Sequence, residues 1–235
     1  MSFSAITQAI NAQADTERAI QSMRFFKTGK GEYGEGDVFL GLTVPMQRAI
    51  AKTFRNESTT TLLRLLKSKK HEYRLIALLI LVSQFERGDE QTKKQVVDIY
   101  LSNTAHINNW DLVDLSAHKI LGAWLRTRNR KILARLATSK SLWERRIAIV
   151  STFAFIAERQ FEDTIALSTI LLQDTHDLIH KAVGWALREV GKKDVHVLTQ
   201  FLDAHTKEMP RTMLRYAIEK FPKLQRKKYM NMKHV

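Results

Sequence analysis

The stretch VHVLTQFLDAHTKEMPRTMLRYAIEKF, residues 195–221, contains two helical stripes joined by a polar turn. Val195, Val197, Leu198, Phe201 and Leu202 recur at helical spacing in a short segment. After a few polar residues a longer apolar-periodic segment runs over 210–221. The same pairing occurs upstream. The short stripes are Leu62, Leu63, Leu65 and Leu66; then Val96, Val97, Tyr100 and Leu101; then Ile132, Leu133 and Leu136; then Ile165, Leu167, Ile170 and Leu171. Each precedes a longer predicted helix, over 71–87, 109–126, 142–158 and 176–191 respectively. With 3 prolines, 9 glycines and no run of β-type turn signals in 235 residues, the chain reads as all-α.

Helix pairs with short connections suggest a repeat, and one is present. Aligning the longer helices places Arg74, Asp111, Arg146, Lys181 and Arg215 in register, 37, 35, 35 and 34 residues apart. This is close to the period of HEAT, armadillo and tetratricopeptide arrays, about 34–47 residues. A charge at one place in every longer helix predicts a shared exposed edge, which in a solenoid is the concave wall where partners bind. Four cations among the five predict a track for phosphates. The expected architecture is a single HEAT-like repeat domain over 1–222, followed by a basic tail, 223–235, read as a frayed end with nonspecific phosphate affinity.

Composition narrows the partner. Lys and Arg number 38 against 24 Asp and Glu, a formal net charge of +14 with a pI near 10.0. Nucleic acid is the leading partner on this count, with an anionic membrane surface second. The absence of cysteine excludes a disulfide framework, a thiol nucleophile and cysteine-ligated zinc, and fits a reducing, intracellular setting. The N-terminus reads as no signal peptide, and the longest aliphatic run, Leu75 to Val82, is too short to span a bilayer. The glycine-rich stretch GKGEYGEGDVFLG (29–41) carries Glu32, Glu35 and Asp37 and lacks a Gly-Lys-Ser/Thr ending. It therefore reads as a loop closing the first helix pair, not as a phosphate cradle.

The residues that carry chemistry cluster at NNWDLVDL, 108–115. Asn108 or Asn109 suits an N-cap, which places Trp110 and Asp111 in a first turn, where the helix dipole alone accounts for an acid such as Asp111. Asp114 lies three residues past Asp111 and four past Trp110, on the same helical face and beyond the reach of that explanation. Trp185, four residues after Lys181, is expected in the corresponding place two repeats later. A core tryptophan is its plainer reading, although Gly184 thins the helix beside it. Trp124 and Trp143 read as packing residues. His176 and His180 stand at a metal-compatible spacing but lack a third ligand, and read as solvated or capping. Asp111 and Asp114, about 5–6 Å apart at Cβ, have the spacing of a glycosidase pair. Nothing nearby desolvates them, however, and a strongly basic groove is a poor host for neutral glycans. No metal or cofactor is expected. Lys27, Arg48 and Lys52 are further candidates for backbone contacts.

The segments FFKTGKGEYGEGDVFLG, NNWDLVD, WERRIAIV, HKAVGWALRE and PRTMLRYAIEKFP, in this order from about residue 23 to 222, resemble the AlkD-type DNA alkylation repair family of HEAT-like repeat DNA glycosylases. The resemblance implies an all-α, right-handed solenoid of HEAT-like helix pairs with a concave basic groove. It also implies that Trp110, Asp114 and Trp185 form the catalytic set, that Arg146 contacts DNA, and that the substrates are N3- and N7-alkylpurines such as 3-methyladenine and 7-methylguanine in duplex DNA. Family members work on the lesion without rotating it into a pocket. The expected partner is thus double-stranded DNA with alkylated bases, bound by a monomer through Arg74, Arg146, Lys181, Arg215, Arg48 and Lys27, with Asp111 in a secondary role. The competing expectation is a non-catalytic HEAT-like module that binds DNA or an acidic protein.

Overall fold

A computed structural model describes residues 2–232. Among them the only strand-like pairing is one isolated parallel bridge between Val38 and Lys70, and the rest is helix and loop. By its internal contacts the chain divides into two compact units, residues 1–120 and 121–235.

In the first unit the helices are α1 (Phe3–Asn11), α2 (Thr16–Phe25), α3 (Val44–Thr53), α4 (Thr59–Leu66), α5 (His71–Arg87), α6 (Glu90–Ser102) and α7 (Trp110–Asp114). Side-chain oxygens of Ser2, Asp15, Ser58, Asp89 and Asn109 accept from the first-turn amides of α1, α2, α4, α6 and α7, so the boundaries are set by local chemistry. The centre of the unit is α5. Its aliphatic run Leu75–Val82 is buried on every side because α3, α4, α6 and α7 all pack against it. A helix enclosed in this way needs no polar stripe.

The second unit comprises α8 (Ala123–Leu125), α9 (Lys131–Ala137), α10 (Leu142–Ser151), α11 (Phe153–Ile156), α12 (Glu162–Ile170), α13 (Asp177–Lys193), α14 (Val195–His205), α15 (Arg211–Ala217) and α16 (Lys223–Met230). Its organiser is α13, which packs against α10, α11, α12, α14 and α15. Gly184 makes the closest of these approaches possible. A Cβ there would lie 2.5 Å from both the Met213 carbonyl and the Tyr216 Cβ. The glycine therefore serves helix packing.

Several expectations are corrected. The helix predicted over 109–126 is interrupted: after α7 come turns and a π-helical stretch, His118–Gly122, before α8. The hydroxyl of Ser116, wholly buried, donates to the Leu112 carbonyl at 2.5 Å, and such side-chain bonds compete with the helical ladder. Ser151 and Thr152 do the same to the carbonyls of Ile147 and Ile149, both at 2.7 Å, where the helix predicted over 142–158 divides into α10 and α11. The tail read as frayed is helical over Lys223–Met230. Tyr229 is 2% exposed there, and its hydroxyl donates to Asp203 at 2.9 Å.

Candidate active site and nucleic-acid interface

A buried ionic network fixes the N-terminus of α7. His71, the first residue of α5, contacts Asp37 through Nδ1 at 3.1 Å and Asp111 through Nε2 at 2.8 Å. Arg74 donates to the same Asp37 oxygen at 2.7 Å and to the Ser68 carbonyl at 2.9 Å. Burial opposes a charge on His71, but the carboxylate of Asp111 and the hydrogen bonds to Asp111 and Asp37 outweigh it and raise its pKa to about 9. The ring is therefore an imidazolium at neutral pH and donates from both nitrogens. Burial likewise works against the charge of Asp37, yet His71 and Arg74 hold its carboxyl below the ordinary value. Two acids and two bases thus neutralise one another in the interior, the condition under which buried charges are tolerated.

Glu72, also buried, accepts from the amides of Leu40 at 2.9 Å, Gly41 at 2.8 Å and Leu42 at 3.3 Å. Gly41 has φ +85 and lies against the Asp15 carbonyl, so no side chain fits there. The glycine-rich loop is thereby pinned to α5, and its acids have local tasks. Glu32 and Glu35 accept from the amides of Gly29 and Gly31, and Asp37 enters the ionic network.

On this base sits an aromatic cluster. Phe26 stacks on Trp110 with ring centres 5.1 Å apart and planes 19° apart, and on its other contacts meets Phe39 at 4.9 Å and the His71 ring at 5.1 Å. Phe25, 66% exposed, meets Trp110 edge-on at 5.8 Å. Trp110 and Asp114 are both partly exposed, while Asp111 between them is buried. Behind Asp114, burial and then the Asp114 charge push the Tyr100 phenol up from its usual pKa, and Tyr100 shares a 3.0 Å hydrogen bond with Ser116. The His118 ring bonds to the Asp114 carbonyl, and burial, followed by the nearby Lys119, lowers its pKa. In the sequence reading the phenylalanines, His71, Tyr100 and His118 have no place in the site; Tyr100 stands there only in an apolar stripe. The doublet Phe25–Phe26 was visible, but its link to Trp110 spans 84 residues and leaves no periodic trace.

In the second unit Trp185 is partly exposed, with its ring tilted against Phe153 at 4.3 Å. Arg146 is 5% exposed and donates to the Leu178 carbonyl at 2.5 Å. Lys181 pairs with Asp177 at 2.7 Å, and Arg215 is exposed. His176 caps α13, its Nδ1 accepting from the Leu178 amide at 3.1 Å, and His180 bonds the Asp174 carbonyl.

The register of charges is corrected accordingly. Arg74, Asp111 and Arg146 are 3%, 6% and 5% exposed, so the register does not mark an open edge along its whole length. Arg74, expected to contact phosphate, is buried instead, with its two terminal nitrogens held by Asp37 and the Ser68 carbonyl. At Asp111 and Arg146 the register residue reaches the start of another long helix, at His71 and Leu178 respectively. Asp111 meets the His71 ring and Arg146 the Leu178 carbonyl, so both charges are held by partners inside the fold. Arg48, Lys52 and Lys27 are exposed, Lys27 at φ 52 on the loop.

Among the described residues no group of acids, histidines or cysteines has the arrangement of a metal site, and no helix is long and apolar enough to cross a membrane. No curated protein matches the chain. Among solved structures, one described as a predicted DNA alkylation repair enzyme from Enterococcus faecalis superposes with a TM-score of 0.70 at 18% identity, covering 90% of this chain and 98% of that one. At that identity the likeness establishes a common all-helical fold. A family model described as DNA alkylation repair enzyme matches residues 6–221, nearly the full length, and the chain belongs to that family.

Proposed function

We propose that the protein is a DNA glycosylase that removes cationic N3- and N7-alkylpurines from duplex DNA. The observation that carries the reading is the pairing of Trp110 and Asp114, partly exposed on one short helix whose start is locked by buried charges, in a chain of net charge +14. Alkylation of a ring nitrogen makes the base cationic and able to leave without protonation. As the C1′–N bond breaks, its electron pair neutralises the base and positive charge develops on the deoxyribose; water then adds to C1′ and gives up a proton. The Asp114 carboxylate stabilises that developing charge and orients the water. The indole face of Trp110 attracts the cation, at about 1–2 kcal/mol once water is excluded, and the family resemblance assigns Trp185 the same task. Asp111 takes no part in the chemistry; it positions Trp110 and Asp114 through His71. Lys181, Arg215, Arg48 and Lys27 serve the DNA backbone, while Arg74 and Arg146 hold the scaffold.

The test is release of 7-methylguanine from methylated duplex DNA, followed by chromatography of the freed bases. Asp114→Asn is expected to lower the rate by about 10²–10³ or more and to leave duplex binding nearly intact. Equal release by variant and wild type removes Asp114 from the mechanism. Release by neither, with DNA bound, favours a non-catalytic binding module.

A further inference from the structure

Within the first unit, α3, α5 and the segment after α7 surround an open cavity of about 240 Å³. Five cations ring it, Arg48, Lys52, Arg55, Arg87 and Lys119, against a single acid, Glu86. Its floor is apolar, formed by Ala51, Leu79 and Val82, with the Ser83 hydroxyl beside them. Arg48, Lys52, Arg55 and Lys119 have no acid at ion-pair distance among the described residues. Arg87 donates only to backbone, to the carbonyls of Ser83 at 3.1 Å and Arg55 at 3.5 Å.

Several arginines elsewhere are neutralised, unlike these: Arg126 by Glu158, Arg130 by Asp163, Arg145 by Asp174 and Arg188 by Glu219. Those acids are spent away from the cavity, where Glu86 alone stands against five cations that repel one another. Such an arrangement costs stability unless an anion enters. The cavity carries five cations, opens to solvent, and has apolar side chains at its floor. A run of phosphodiester fits these features, with phosphates on the ring and the deoxyribose against Leu79 and Val82. Lys119 also ties the cavity to the candidate site, since it follows Asp114 by five residues on the same segment and neighbours His118, which holds the Asp114 carbonyl.

We propose that this cavity is an anchoring site for two or more consecutive backbone phosphates of the DNA strand, and that it fixes where the duplex lies relative to Asp114. The proposal rests on DNA as the partner but not on glycosylase chemistry. The test measures binding of a short unmodified duplex across a salt series, so it reads out even if no base is ever released. In Lys52→Gln/Arg55→Gln, both positions being exposed, the Kd is expected to rise about tenfold, and the slope of log K against log salt to flatten by about 1–2. Lys119→Gln alone is expected to flatten it by about 1. A thermal melt confirms that each variant folds. Arg126→Gln/Lys192→Gln removes the same net charge from cations already paired with Glu158 and Glu189, and it is expected to leave the slope unchanged. If the two double variants change binding equally, the effect is one of net charge and the proposal falls. It falls also if the cavity variants lose affinity for inorganic phosphate alone while duplex binding is unaltered.

Discussion

The clearest case at the residue scale is Asp111. From sequence it is an acid in a first turn, with two equally good explanations, a helix dipole and a functional carboxylate. Its 2.8 Å contact with His71 supplies a third, an ion pair that holds the start of α7 against the start of α5. The consequence is a pH dependence of fixed sign. His71 has a pKa of about 9 when folded against an ordinary 6.5, so the folded state binds its proton more tightly. The stabilisation is present in full below pH 6.5, shrinks above it, and is lost as pH rises through about 9. The shift corresponds to a few kcal/mol, about 1.4 for each pKa unit. The melting temperature of the wild type is therefore expected to fall between pH 7 and 9.5. His71→Gln should melt lower at pH 7 and lose most of that pH dependence; a parallel fall in both would show that other groups cause it. At the acid end the sign is opposite, because the lowered pKa of Asp37 makes its contribution disappear as pH falls through its folded value.

At the scale of the element, periodicity identifies helices well and their interruptions poorly. The long helices α5 and α13 run as their apolar spacing predicts, over His71–Arg87 and Asp177–Lys193. Those predicted over 109–126 and 142–158 are broken where Ser116, Ser151 and Thr152 turn their hydroxyls onto preceding carbonyls. A serine inside an apolar pattern bears no mark of whether it will do this, since the outcome depends on its burial. Gly184 illustrates the same limit: it read as a way to free the Trp185 face and proves to be the point where α15 presses on α13. Gly184→Ala is expected to lower stability by about 1–3 kcal/mol, measured by denaturant unfolding, since backbone and not a flexible side-chain end meets the added methyl. A neutral result would mean that α13 and α15 separate without cost. If Trp185 acts as proposed, the same variant also lowers base release by displacing α13.

At the scale of the whole molecule the dominant property is charge. An excess of +14 with many acids already paired internally leaves the exposed cations to meet an external polyanion. Binding to undamaged duplex is expected to weaken linearly in log K against log salt, by about 0.9 per phosphate neutralised. Fluorescence anisotropy at several salt concentrations gives that slope. A slope near zero would mean that the positive surface does not face DNA, and would remove the backbone roles of Lys27, Arg48, Lys181 and Arg215 together. Alkylation repair demands such a balance. Affinity drawn from the backbone lets a protein search undamaged DNA, and in the reaction proposed above the patch around Trp110 and Asp114 responds only where the DNA itself turns positive.

The sequence by itself determined the helical class, the repeat of about 35 residues, the basic balance and the placement of Trp110 and Asp114 on one helix, because these follow from spacing along one chain. Only the tertiary structure decided which charges are available to a partner. Arg74 and Arg48 are indistinguishable as letters. One is enclosed with Asp37, 37 residues away, and the other stands on the rim of a cavity. The stacking of Phe26 on Trp110 and the bond from His71 to Asp111 belong to the same category. Burial and long-range partnership set the charge state and reach of a side chain, and neither is written in its neighbours along the chain.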